Sequence, residues 1–96
     1  MKLLHIKRSP AKGKKWRATF YEPRTHTYIH TDFGAAGMSD YTIHRDPLRK
    51  ERYLERHKKN EDWNNPLSAG ALSRYILWEY PSFDKAVREY KHRFNL

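Results

Sequence analysis

Trp16-Arg17-Ala18-Thr19-Phe20-Tyr21 alternates along an extended chain, with Trp16, Ala18 and Phe20 on one side and Arg17, Thr19 and Tyr21 on the other. A period of two is the pattern of a half-buried strand. Eleven residues after Trp16 the pattern returns in the β-branched and aromatic run Thr27 to Phe33, where Ile29, Thr31 and Phe33 share a side. Glu22-Pro23-Arg24-Thr25 lies between the two runs and reads as a turn. Upstream, Leu4 and Ile6 alternate with His5 and Lys7, and Ser9 to Lys15 reads as a loop because Pro10 and Gly13 interrupt any period. Strands are therefore expected at about 3–7, 15–21 and 27–33. The short connections suit hairpins, whereas parallel pairing needs a crossover of a dozen or more residues.

The period changes after Gly34-Ala35-Ala36-Gly37, whose two glycines allow positive φ or a close approach of backbone. Met38 to Arg45 reads as irregular. Asp46-Pro47 has the form of a helix start, with Asp as N-cap and Pro in the first turn. A helix is expected at about 47–59 and a second at about 67–79, where Leu72, Tyr75, Ile76 and Glu79 share a face. Pro81 stops it and Ser82 caps a third, at about 83–94. There Phe83, Ala86, Val87, Tyr90 and Phe94 form the clearest helical stripe in the chain. Trp63 falls in a linker and is expected to plug into the core. Residues 1–96 thus read as one α+β domain, a three-stranded antiparallel meander followed by three helices packed on one sheet face. Two edge strands leave strand-mediated homo-oligomers open.

The chain has 20 Lys and Arg against 11 Asp and Glu, a formal charge of +9 over 96 residues. That field attracts phosphate backbones or anionic membrane faces. Cysteine is absent, which excludes disulfides, thiolate zinc sites and a cysteine nucleophile. The N-terminus lacks the apolar run of a signal peptide, so secretion is not expected. No stretch approaches the roughly 20 apolar residues of a spanning helix.

Two stretches concentrate the charge. Arg45, Arg49, Arg52, Arg56 and Lys59 are spaced four, three, four and three, which aligns them along one helix face. Cations at one-turn spacing suit phosphate contacts. Glu55 with Lys59 is the expected i,i+4 pair within this stretch. The second surface is the hairpin loop with Lys12, Lys14 and Lys15, beside Trp16 and Arg17. No zinc-finger spacing, leucine zipper or RRM aromatic signature accompanies them, so sequence-nonspecific binding of nucleic acid, duplex DNA first, is the expectation.

Catalytic patterns are weak. His26 and His30 would lie roughly 13 Å apart on a strand, too far to share an ion. Tyr41, His44, Arg45 and Glu51 supply the residue types of a phosphodiesterase without a defensible spacing. Asp32, Asp40 and Asp62 are scattered, and Gly34 to Gly37 lacks the lysine of a P-loop. A small metal-dependent nuclease is the least favoured alternative. No catalytic residue, metal site or cofactor is assigned.

Phe33-Gly34-Ala35-Ala36-Gly37-Met38-Ser39-Asp40-Tyr41-Thr42-Ile43-His44 resembles a family of small uncharacterised basic proteins encoded by nucleocytoplasmic large DNA viruses, those of algae and amoebae included. The likeness continues through Asp46, Arg49, Lys50, Arg52-Tyr53-Leu54, Arg56-His57 and Glu61-Asp62-Trp63. It resumes at Ser68-Ala69-Gly70, Ser73-Arg74, Leu77-Trp78 and Pro81, and spans about residues 14 to 94. The chain departs from that pattern in a longer hairpin with Pro23 and in Ala71-Leu72, where bulkier aromatics are expected. The resemblance brings no site residues with it. It implies a viral accessory protein in the virion or the host-cell interior (viral factory, cytoplasm or nucleus), associated with the genome or serving as a minor capsid or internal virion component that contacts other virion proteins. Tyr28 and Trp78 are the exposed aromatics expected for that second role.

Overall fold

A computed structural model describes residues 1–96. Strands β1 (Lys2–Arg8), β2 (Lys14–Glu22) and β3 (Thr27–Ala35) form one antiparallel sheet in the order β1-β2-β3. Four helical pieces follow: α1 (Tyr41–His44), α2 (Pro47–His57), α3 (Ala69–Leu72), which runs directly into a π-helical turn at Ser73–Leu77, and α4 (Phe83–Arg93). The α+β architecture is the one expected, a meander followed by helices.

Register sorts the sheet into two faces. Leu3, Phe20 and Ile29 form one cross-strand row, Ile6, Ala18 and Thr31 the next, and Arg8, Trp16 and Phe33 a third. Leu3, Ala18, Phe20 and Phe33 from these rows join Leu72, Ile76, Leu77 and Tyr90 in one buried cluster. Leu4, expected to share a face with Ile6, does not. The register shifts between Leu3 and His5, a bulge that makes Leu3 the buried residue and leaves Leu4 in solvent.

The helical layer is set by caps and stripes. Ser82 caps α4 by accepting from the Lys85 N–H, with Asp84 in the first turn and Lys91, His92 and Arg93 in the last, matching the helix dipole. Its expected stripe is the one that packs on the core, with Ala86 and Tyr90 buried and Phe83, Val87 and Phe94 against the cluster. The second expected helix begins later, at Ala69 under the Ser68 cap, and widens into a π turn. The wider turn lets both Ile76 and Leu77 point inward, which a regular α-helix with Leu72 and Ile76 as its stripe would not. Tyr90 donates its hydroxyl to the Pro66 carbonyl at 2.6 Å, and Thr31 donates to the Leu67 carbonyl at 2.8 Å, pinning the linker before α3 to the core.

Met38 to Arg45 is not wholly irregular. Asp40 accepts from the Thr42 N–H and starts the single turn α1, which Arg45 ends in the left-handed region at φ 54°. Asp46 then caps α2 by accepting from the Leu48 N–H, and Pro47 stands at its first position.

Candidate nucleic-acid interface

Helix α2 is seated by one narrow face. Tyr53 is its buried residue. The Tyr53 ring stacks on Trp78 on one side and on His57 on the other, each with centroids 4.2 Å apart. Trp78 meets His44 at 5.3 Å, and His44 meets Tyr41 at 6.2 Å. Five rings thus run in a ladder from α1 through Trp78 to the end of α2. Trp78 is therefore not the exposed aromatic expected from sequence: it is clamped between two rings.

Polar contacts brace the ladder. Lys50, a turn before Tyr53, donates to the Glu79 carbonyl at 2.8 Å and lies over the Tyr41 ring. Arg74 bonds the Glu79 carboxylate and sits over the rings of both Trp63 and Tyr75. Trp63 is half-buried, and its indole donates to Glu61, whose other oxygen meets His57 at 2.8 Å. His44 Nδ1 accepts from the Asp46 N–H, which places its proton on Nε2. That nitrogen is buried with no hydrogen-bond partner, as is Arg74 Nε.

The charge flanks this seat: Arg49 and Arg56 stand four residues before and three after Tyr53, and Arg52 lies beside them. Arg49, Arg52 and Arg56 are exposed on the helix, Arg45 is exposed at the junction before it, and Lys59 is exposed in the turn after it. None of the five takes part in the chain's ion pairs. The expected Glu55–Lys59 pair does not form. Glu55 pairs instead with Lys58 at 3.1 Å, i,i+3 on the helix, and so leaves the row unneutralised.

The hairpin cations divide. Lys12 and Lys14 are exposed and unpaired at the tight turn Ala11–Lys14, closed by Lys14 N–H to Ala11 carbonyl and a positive φ at Gly13. Lys15 folds back onto Asp40 at 2.6 Å, with both side chains largely buried. Asp40 thereby joins the hairpin to the α1 cap. Arg17 makes a two-pronged pair with Asp32, Nε to Oδ1 at 2.9 Å and Nη2 to Oδ2 at 3.0 Å. That bond, with a second from Ser9, holds the Asp32 carboxyl below its usual range.

A cleft of about 380 Å³ lies where the two basic stretches meet. Lys14 and Lys15 from the hairpin line one side, Arg56 and His57 from α2 the other, and Tyr53 and Trp78 the wall between. A broader groove of about 770 Å³ shares Lys14, Lys15 and Asp40 with it and continues past Trp16 and Phe83 to the exposed Met38 and Ile43. Residues far apart in sequence thus meet at one partly aromatic recess, where Asp40 and Glu61 engage Lys15 and His57 and leave Lys14 and Arg56 as the unpaired cations. In the sequence Asp32 and Asp40 read only as scattered acids, and Lys50 only as part of the resemblance. Each acts through a contact that needs the register or the third dimension.

Metal-binding geometry is absent: no three His, Asp or Glu side chains are grouped to hold an ion. His26 and His30 are occupied separately, with the Tyr21 hydroxyl and the Thr19 hydroxyl, each at 3.0 Å. No helix is long and apolar enough to cross a membrane.

The chain belongs to a family of unknown function, DUF5754, whose model matches residues 4–57. That span takes in the whole meander from Leu4 onward and ends with α2, so Arg45, Arg49, Arg52 and Arg56 fall inside it and Lys59 outside. No curated protein and no solved structure matches the chain.

Proposed function

We propose that this protein is a non-catalytic accessory protein that binds nucleic acid, duplex DNA in the first instance, through its backbone phosphates. One observation carries the reading. Arg56 and Lys14, from the two basic stretches, line a single cleft, and the cations of the α2 row have no carboxylate partners. Charge left unpaired on the helix and at the mouth of that cleft is available to an external polyanion. Lys15 and Arg17 contribute differently: their charge is already engaged by Asp40 and Asp32, so neither belongs to the unpaired phosphate-binding set. The viral resemblance suggests a setting, the packed genome or the viral factory.

The test is binding to short duplexes across a salt series, with the wild type, the quadruple variant Arg49→Ala, Arg52→Ala, Arg56→Ala and Lys59→Ala, and, as control, Arg24→Ala in the exposed turn at the far end of β2. Each phosphate contact contributes about 0.9 to the slope of log K against log salt. The expected result is a steep slope that the quadruple variant flattens and that Arg24→Ala changes far less. A flat response in the wild type, or an unchanged quadruple variant, overturns the reading.

The rival is a virion protein that holds other virion proteins together, favoured by the exposed Tyr28 and the unpaired outer edges of β1 and β3. Crosslinks from this chain to coat proteins alone, in purified particles, would favour it over genome association.

A further inference from the structure

We propose that the uncovered face of the sheet enters the major groove of duplex DNA and that Arg17, held by Asp32, donates its free edge to a guanine. This goes beyond the phosphate contacts assigned above to α2 and the hairpin, and rests on that reading for duplex DNA as the partner.

The helices cover only one face. On the other, register sets three rows: Lys2-Tyr21-Tyr28, His5-Thr19-His30 and Lys7-Arg17-Asp32. All nine side chains are hydrogen-bonding types and none is aliphatic. Three are cations and one is an anion, so the face is net positive and complements a phosphate-lined groove. Lys2, His5, Lys7, Tyr28 and His30 are exposed. Three strands at about 4.8 Å spacing put the outer strand axes about 10 Å apart, so across a major groove about 12 Å wide the central strand β2, which carries Arg17, faces the base edges and the outer strands face the groove walls.

Arg17 makes the surface more than an ordinary wet sheet face. A guanidinium has five N–H donors in a fixed plane. Asp32 takes the side edge, using Nε and one hydrogen of Nη2. The end edge, one hydrogen on Nη1 and the second on Nη2, makes no hydrogen bond within the protein. Those two parallel donors are the fork that matches guanine O6 and N7. Asp32 is itself fixed, by Ser9 Oγ donating to Oδ1 at 2.8 Å. The carboxylate removes the rotational freedom that an isolated arginine loses on binding. It also repels a phosphate more than it does the neutral guanine edge. Lysine at this position would keep the charge and lose the fork.

The experiment is selection of bound duplexes from a randomised pool, followed by affinity measurement on the selected and scrambled sites. It uses the wild type, Arg17→Lys and Asp32→Asn, each checked for a native circular dichroism spectrum. The wild type is expected to select a guanine at a fixed position and to prefer it by about 5- to 150-fold. Arg17→Lys is expected to bind scrambled DNA with its salt slope intact and to lose that preference. Asp32→Asn, which keeps the fork and weakens its brace, is expected to reduce the preference. Salt-dependent binding with no base preference in the wild type overturns the inference and leaves the phosphate-binding reading standing. Retained preference in Arg17→Lys, or equal loss on every sequence, also overturns it, the latter marking Arg17 as a phosphate contact. Absence of binding to any duplex overturns both.

Discussion

Tyr53 and Trp78 lie face to face, their centroids 4.2 Å apart and their planes 4° from parallel. This pair is the main join between the basic helix and the rest of the protein. An amphipathic helix normally docks through a broad apolar stripe. Helix α2 buries one tyrosine, with a histidine stacked on it, Lys50 on the Glu79 carbonyl and Leu54 half-buried, while Leu48 and the arginines stay in solvent. The join leaves the arginine row in solvent on a helix that is nevertheless fixed in place.

Replacing Tyr53 by Ala should therefore loosen α2 far more than any change on its outer side. Truncating a buried aromatic costs about 3–5 kcal/mol. The expected outcome is a fall of that size in the free energy of unfolding by denaturant, with faster amide exchange along 47–57 than along β2. Equal protection of α2 in the variant and the wild type would contradict this account of its seating.

Gly34 and Gly37 separate two effects that glycine usually combines. Both have positive φ, +78° and +80°. A Cβ at Gly34 would also lie 2.9 Å from Leu77 Cδ1, whereas one at Gly37 would meet nothing within 4 Å. Gly37→Ala should cost only the left-handed conformation, about 1–2 kcal/mol. Gly34→Ala should cost that and the displacement of a buried leucine, about 1–3 kcal/mol more. Thermal or denaturant unfolding of the two variants checks the order.

The fold was legible because its signals are local. Alternation from Trp16 to Tyr21, the Asp46-Pro47 start and the Phe83 to Phe94 stripe each need only a few neighbouring residues. Three features were not local. The bulge at Leu3 to His5 changes which leucine is buried and depends on pairing with β2. The turn α1 is held by Asp40, whose second oxygen is engaged by Lys15, 25 positions away. The π turn follows from the need to bury Leu77 beside Gly34. The site was legible only as two basic stretches. That they share a cleft, and that Lys15 and Arg17 are ion-paired, depends on where the chain returns.

The Arg17–Asp32 pair predicts an acid response of definite sign. Hydrogen bonds from Arg17 first, and Ser9 second, hold the folded Asp32 carboxyl below its ordinary value. A carboxyl depressed on folding contributes stability that is present above its unfolded pKa, near 3.9, and is lost as pH falls through the folded value. Carboxyl NMR titration should place the Asp32 midpoint below that of an unstructured aspartate. Arg17→Ala should move it up, and Asp32→Asn should flatten the acid limb of the stability curve. An Asp32 midpoint indifferent to Arg17→Ala would refute the assignment.

At the alkaline end the sign is reversed and the groups are Tyr53 and Tyr90. Burial raises the pKa of both phenols, with Glu61 adding to the effect at Tyr53 and Tyr75 at Tyr90. The Tyr90 proton is also committed to the Pro66 carbonyl at 2.6 Å. A group whose folded pKa is raised contributes stability that is fully present below its unfolded value, about 10 for tyrosine, and is lost as pH rises through the folded value. Two of the seven tyrosines should therefore ionise only at the alkaline extreme, together with loss of the packed structure. Phenolate absorbance followed alongside near-ultraviolet circular dichroism tests this. Tyr90→Phe should remove one late phenol from the titration. It should also cost about 1–3 kcal/mol at neutral pH, because the Pro66 carbonyl loses its donor inside the protein. If both signals instead changed independently, with every phenol titrating while the circular dichroism held, the buried positions of Tyr53 and Tyr90 would be wrong, and with them the seating of α2 and the docking of α4 on the linker.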